Sequence, residues 1–180
     1  MKVRFAFLFS ALVLAMLSVS FAGAQKPGDA APQKEGLLNA PDVGGKLFPD
    51  KVFFKSQVAP VQARNSAGVR FSDGNLTLAA LVDSSGYASG IREKYQGYLL
   101  SDVAIQIGGQ TLKPGAYGFG FLEGNKFVVM DLGADDLLQV TSAKDTDMKR
   151  PVPFQFVAGS TAGTYRLYKG REYVEFRRAQ

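Results

Sequence analysis

The chain contains no histidine and no cysteine. Without imidazole there is no Ser-His-Asp triad, and without thiolate no Cys-His dyad. A zinc site built from those ligands is excluded, and so is haem attached through a C-x-x-C-H motif. Disulfides are excluded too, so a hydrophobic core alone must stabilise the fold. The chemistry left open is carboxylate catalysis, oxygen-ligated Ca²⁺ or Mg²⁺, and lysine-assisted hydroxyls. Charge of one sign is also scarce, with 21 Lys and Arg against 16 Asp and Glu. Arg177 and Arg178 are adjacent, but there is no long basic run or basic helix, a pattern that does not call for nucleic acid.

Long apolar runs are missing except at the N-terminus. Lys2 and Arg4 precede an uncharged stretch, residues 5–17, that holds a single hydroxyl. Ser18 and Ser20 then interrupt the run before it reaches the roughly 20 residues a membrane span requires. Ala22-Gly23-Ala24 follows, with small residues where signal peptidase needs them. Residues 1–24 therefore read as a signal peptide cut before Gln25, which predicts an exported protein, periplasmic or extracellular, with no integral membrane segment after cleavage. No cysteine is available for lipid anchoring. Removing Lys2 and Arg4 leaves 19 basic against 16 acidic residues, a mild +3.

Residues 25–50 hold four prolines and four glycines, which predicts a flexible leader with Leu37, Leu38, Leu47 and Phe48 as local docking points. Residues 51–180 read as a single β domain. About 130 residues bury roughly two-thirds of their unfolded surface, enough for one core. Short β-branched and aromatic runs alternate there with turn residues, predicting an all-β fold, an antiparallel β-sandwich or small β-barrel of about 8 to 10 short strands. The strands fall near 52–58, 69–71, 76–82, 98–107, 116–122, 126–132, 137–141, 154–157, 164–168 and 171–177. Residues 84–94 are the least strand-like, and Ile91 with Tyr95 marks a short helix.

Two hairpins can be registered from their turns. A two-residue loop at Gly124-Asn125 pairs Phe121 with Val128 and Phe119 with Met130, placing an aromatic face opposite the bare strip of Gly118 and Gly120. A turn at Lys169-Gly170 pairs Tyr165 with Val174, and Arg166 with Tyr173 on a wetter side that offers a cation–aromatic contact.

Candidate binding residues follow from the same features. Gly118 and Gly120 let a backbone or ligand approach closely; packing or a bend at a barrel corner is the plainer account of them. Tyr87, Tyr95 and Tyr98 cluster beside Arg92, Glu93 and Lys94, either rimming a pocket or capping one end of the core. Asp135-Asp136 and Asp145-x-Asp147 are the close carboxylate groupings. Neither fits an EF-hand loop, and both suit solvated turns. There is no S-x-x-K, and Gly159 to Gly163 lacks the G-x-S-x-G spacing, so no catalytic residue and no metal ligand is assigned, and no cofactor is expected.

The segment Gly108-Gly109-Gln110-Thr111-Leu112-Lys113-Pro114-Gly115-Ala116-Tyr117 resembles a G-G-x-x-L-x-x-G-x-Y turn of bacterial extracytoplasmic β families, including domains of unknown function. The resemblance implies a secreted β fold and carries no activity. Taken together, the expectation is a non-enzymatic β domain of the bacterial periplasm or cell envelope that binds an envelope protein or a small ligand. An eight-stranded outer-membrane barrel and a carboxylate-based hydrolase are the alternatives.

Overall fold

The computed structural model describes residues 35–180; the expected signal peptide, 1–24, and the leader up to residue 34 lie outside them. In chain order the elements are β1 (Gly36–Leu38), the short helix α1 (Ala40–Val43), β2 (Lys51–Phe54), β3 (Gln57–Arg70), β4 (Leu76–Val82), helix α2 (Ser89–Lys94) and β5 (Gly97–Ser101). There follow β6 (Ile105–Ile107), β7 (Gln110–Leu112), β8 (Gly115–Leu122), β9 (Lys126–Met130), β10 (Asp136–Thr141), β11 (Ala143–Lys144), β12 (Gln155–Ala158), β13 (Thr164–Lys169) and β14 (Glu172–Arg178).

All pairings between these strands are antiparallel. The larger sheet runs β1-β3-β4-β5-β8-β9-β10, with β2 also on β3; the smaller runs β12-β13-β14-β6-β7, with β11 also on β14. The sheets do not close into a barrel, so of the two expected architectures the sandwich is the one formed.

Among the described residues fourteen strands replace the eight to ten expected. The extra ones come from breaks that periodicity hides. The apolar run 98–107 is two strands in different sheets, β5 and β6. The chain crosses between them where Ser101 Oγ bonds Val103 O at 2.8 Å and the Asp102 carboxylate accepts the Leu76 N–H at 2.9 Å. Those bonds satisfy backbone groups that leave one ladder before joining the next.

The fold also begins before residue 51. β1 pairs with β3, and Val43 and Phe48 are fully buried. Pro41, which read as leader, has a local job instead. It sits in the first turn of α1, where a missing N–H costs nothing, and the Asn39 N–H donates to the Asp42 carboxylate at 3.2 Å. Leu38 packs on the same core, whereas Leu37 and Leu47 stay exposed.

Both faces of the larger sheet are covered, which explains the near-continuous apolar runs of β4, β8 and β9. On one face Ala79, Leu99, Phe119, Phe127 and Val129 meet Phe156, Leu167, Val174 and Phe176 of the smaller sheet and Phe154 just before β12. On the other face Leu78, Ala80, Tyr98, Val128 and Met130 form a second core with Val43, Phe48, Val52, Phe54 and Ala59. The long β3 makes that second layer. Its register jumps between Val61 and Ser66, and the half before the jump pairs with β2 as a hairpin. The hairpin tip, Lys55 and Ser56, has positive φ at both residues, and the Lys55 N–H reaches Leu132 O at 2.8 Å. The hairpin thus lies across the outer face of the larger sheet.

The two predicted registers shift. The β8–β9 loop has three residues, so Phe121 pairs with Phe127 and Phe119 with Val129. A one-residue slip exchanges faces: Val128 and Met130 lie on the glycine side, not the aromatic side. The β13–β14 pairing slips by two, with Tyr165 opposite Phe176 and Arg166 opposite Glu175. A slip of two keeps every side chain on its expected face. The cation–aromatic contact survives diagonally, with Arg166 Cζ 4.8 Å from the Tyr173 ring centre.

The glycine-rich turn has a structural account. Gly108 and Gly109 both take positive φ and close the β6–β7 hairpin as a two-residue loop. Leu112 is buried between the sheets, and the Tyr117 hydroxyl donates to Lys113 O at 2.8 Å. That bond ties the start of β8 to the turn before it.

Candidate functional site

The sequence-selected residues meet in one place, on the outer face of the larger sheet. Tyr95 leaves α2 and is fully buried, while Tyr87 and Tyr98 are 6% and 5% exposed. Phe54 of the crossing hairpin stacks on Tyr95 with ring centres 3.8 Å apart and planes within 10°. Tyr87 packs edge-on against both rings, and its hydroxyl donates to Phe54 O at 3.0 Å. Tyr98 lies opposite Gly118 in the ladder and edge-on to Phe48.

Gly118 and Gly120 explain how these rings fit. A Cβ on Gly118 would strike the Phe54 ring and lie 3.0 Å from Tyr95 Cδ2, and a Cβ on Gly120 would collide with Lys94 O at the end of α2. The bare strip is occupied by the protein's own ring and helix terminus, so it faces a packed layer and no open cavity. The tyrosines do not rim a pocket; they fill the second core. Gln96 fastens this arrangement. Its amide donates to Glu93 O and Phe121 O, and its side-chain oxygen accepts the Phe121 N–H at 3.0 Å.

Electrostatics agree with a dry layer. Burial pushes the Tyr95 phenol far above its ordinary range, with Tyr87 and Tyr98 adding to the effect. Burial raises Tyr98 and Tyr87 as well. The Tyr95 hydroxyl is buried with no hydrogen-bond partner among the described residues, a cost of about 1–3 kcal/mol that the surrounding packing offsets.

The carboxylate groupings are held in local structural contacts. Asp145 accepts the Asp147 and Met148 N–H groups on one oxygen and the Tyr168 hydroxyl on the other. Asp136 pairs with Lys94 at 2.7 Å. Asp135 follows a turn in which Asp131 accepts the N–H groups of Gly133 and Asp135.

Sequence reasoning missed a polar recess on the outer face of the smaller sheet. Here Thr164, Arg177 and Gln106 stand in one row across β13, β14 and β6, with Arg166 and Glu175 in the next outward row. Arg177 Nε and Nη2 both donate to Gln106 Oε1, at 2.8 and 2.7 Å. Arg166 Nε donates to Glu175 Oε2 at 3.3 Å. Gln106, Thr164, Glu175 and Arg177 floor a recess of about 400 Å³ walled by the Gly108-Gly109 turn and by Thr161, with Phe176 also in its lining. Its one early signal was the wet side expected for the β13–β14 hairpin. The partners Gln106 and Arg177 are 71 residues apart, and no local pattern joins them.

The arrangement presents hydrogen-bond donors and acceptors at the surface of the smaller sheet. No protein-family model, no curated protein and no solved structure matches the chain.

Proposed function

We propose that this protein is an exported, non-enzymatic β-sandwich of the bacterial periplasm or cell envelope that works by binding a partner or small ligand on its exterior. The observation that carries the reading is the filled niche over Gly118 and Gly120, where the chain's own Phe54 and α2 occupy the space an internal ligand would need. Binding then falls to the surface. The lack of histidine and cysteine, the use of Asp145 as a backbone cap and the pairing of Asp136 with Lys94 support a role without catalysis. Lys2, Arg4, the apolar run after them and Ala22-Gly23-Ala24 support export.

Fractionation tests the address. The chain, expressed in full in a Gram-negative host, is expected in the osmotic-shock fluid with Gln25 as its first residue. Recovery in the cytosol with Met1 intact would overturn export. Activity on a substrate panel that is lost in Asp135→Asn/Asp136→Asn would overturn the non-enzymatic reading.

A further inference from the structure

The recess on the smaller sheet has a chemistry specific enough to name its ligand class, an inference that rests on the surface-binding reading. We infer that it binds a neutral, hydroxyl-rich ligand, a carbohydrate, with Arg177 as donor and Glu175 as acceptor.

Arg177 is held by an amide oxygen, with two N–H groups on Gln106 Oε1. The guanidinium is thereby oriented without being neutralised. It carries five N–H donors, so three remain for a ligand. Glu175 commits Oε2 to Arg166, and its other oxygen has no hydrogen-bond partner among the described residues. Arg166 is itself braced over the Tyr173 ring. Side chains two apart on a strand share a face, roughly 6.6 Å apart along it, so an oriented donor and an acceptor stand side by side in one recess.

That mixture discriminates among ligands. A carboxylate attracted to Arg177 meets Glu175, and an ammonium attracted to Glu175 meets Arg177 and Arg166; each charged ligand is opposed by a like charge. A hydroxyl both donates and accepts and suits both groups. Phe176 and the Gly108-Gly109 backbone add apolar surface beside Gln106, Thr164, Glu175 and Arg177, which the C–H face of a sugar ring can cover. The wall matters as well. A Cβ on Gly109 would meet nothing within 4 Å, so the turn leaves room for a ring to enter. Prior orientation of the polar groups lowers the ordering cost of binding.

The test is a glycan array spanning neutral, amino and acidic sugars, probed with the purified full chain, followed by calorimetry with a retained oligosaccharide. Retention on neutral sugars is expected. Arg177→Ala and Glu175→Gln should each weaken it at least tenfold, and Lys51→Ala, in the hairpin on the other sheet, should leave it unchanged. Glu175→Gln preserves shape at an exposed position, and unchanged near-UV circular dichroism would verify that each variant is folded. No retention on any glycan would overturn the inference, as would preference for oligogalacturonate over every neutral sugar. Equal retention by wild type and both recess variants would overturn this site while leaving surface binding intact. The fractionation result bears on export alone.

Discussion

The outer face of the larger sheet carries Leu78, Ala80, Tyr98, Gly118 and Met130 and is roofed by the chain's own β2–β3 hairpin. The outer face of the smaller sheet carries Arg166, Glu175, Arg177 and Gln106, and toward the Gly108-Gly109 turn it lies open as a recess. Toward the other end it is partly covered, with Tyr168 buried beside Asp145. The aromatic-and-glycine face looks more like a binding site in sequence, because exposed aromatics beside bare backbone would hold a ligand. In the folded chain that face is a core. An apolar strip of this kind is stable in water only when covered, and here the cover is covalently attached. The polar face needs no cover and so remains available.

The comparison breaks most sharply at Phe54. If its ring is a core member, Phe54→Ala should cost about 3–5 kcal/mol, the usual range for a buried aromatic, measured by urea unfolding. A loss under 1 kcal/mol would instead mark the hairpin as a loosely closed lid. Next in size is Gly120→Ala, where the new methyl must displace the Lys94 carbonyl. Backbone cannot yield as a side chain does, and a loss of about 2–3 kcal/mol is expected. Wild-type stability would show that α2 does not rest on β8.

Tyr95→Phe sharpens the comparison with the opposite sign. Removing an unpartnered buried hydroxyl should raise stability by roughly 1 kcal/mol, and a loss of similar size would reveal a partner for the phenol. The same substitution has a pH signature. Burial raises the folded Tyr95 pKa above the ordinary value of 10.0, so above pH 10 the unfolded chain gives up the phenol proton while the folded chain keeps it. This contribution is intact below pH 10 and is lost as pH rises toward the folded value. Stability should therefore fall less steeply above pH 10 in Tyr95→Phe than in wild type.

The smallest effect belongs to the open face. Arg177→Ala removes a partly solvated side chain bound to a neutral amide, and the change in stability should stay within about 0.5 kcal/mol. A loss above 2 kcal/mol would turn Arg177 into a structural residue. The same would follow for Glu175, whose bond to Arg166 is an exposed pair of little expected worth.

Much of the fold was legible. The alternation in 116–122 predicted a strand with Tyr117, Phe119 and Phe121 inward, and the turns at Gly108-Gly109 and Gly170 were marked by residues that take positive φ. Register was less legible. Whether Glu123 belongs to the loop depends on which faces of β9 are buried, and with both faces covered Lys126 to Met130 carries no alternation to fix the phase. The start of the fold was misread because Pro41 and Gly44 resemble leader composition, while the neighbour of Gly44, Ala63, lies far along the chain on β3. Ala63 lies so close to Gly44 that no side chain fits there.

By itself the sequence determined the fold class, the absence of imidazole and thiol chemistry, and the amphipathic strands. These follow from residue types and short-range periodicity, which act locally along the chain. Only the tertiary structure decided that the strip at Gly118 and Gly120 is filled, and that Gln106, Glu175 and Arg177 share a recess. Both results depend on segments far apart in the chain, Phe54 on β8 and β6 beside β14. Their meeting is set by how the sheets pair and pack.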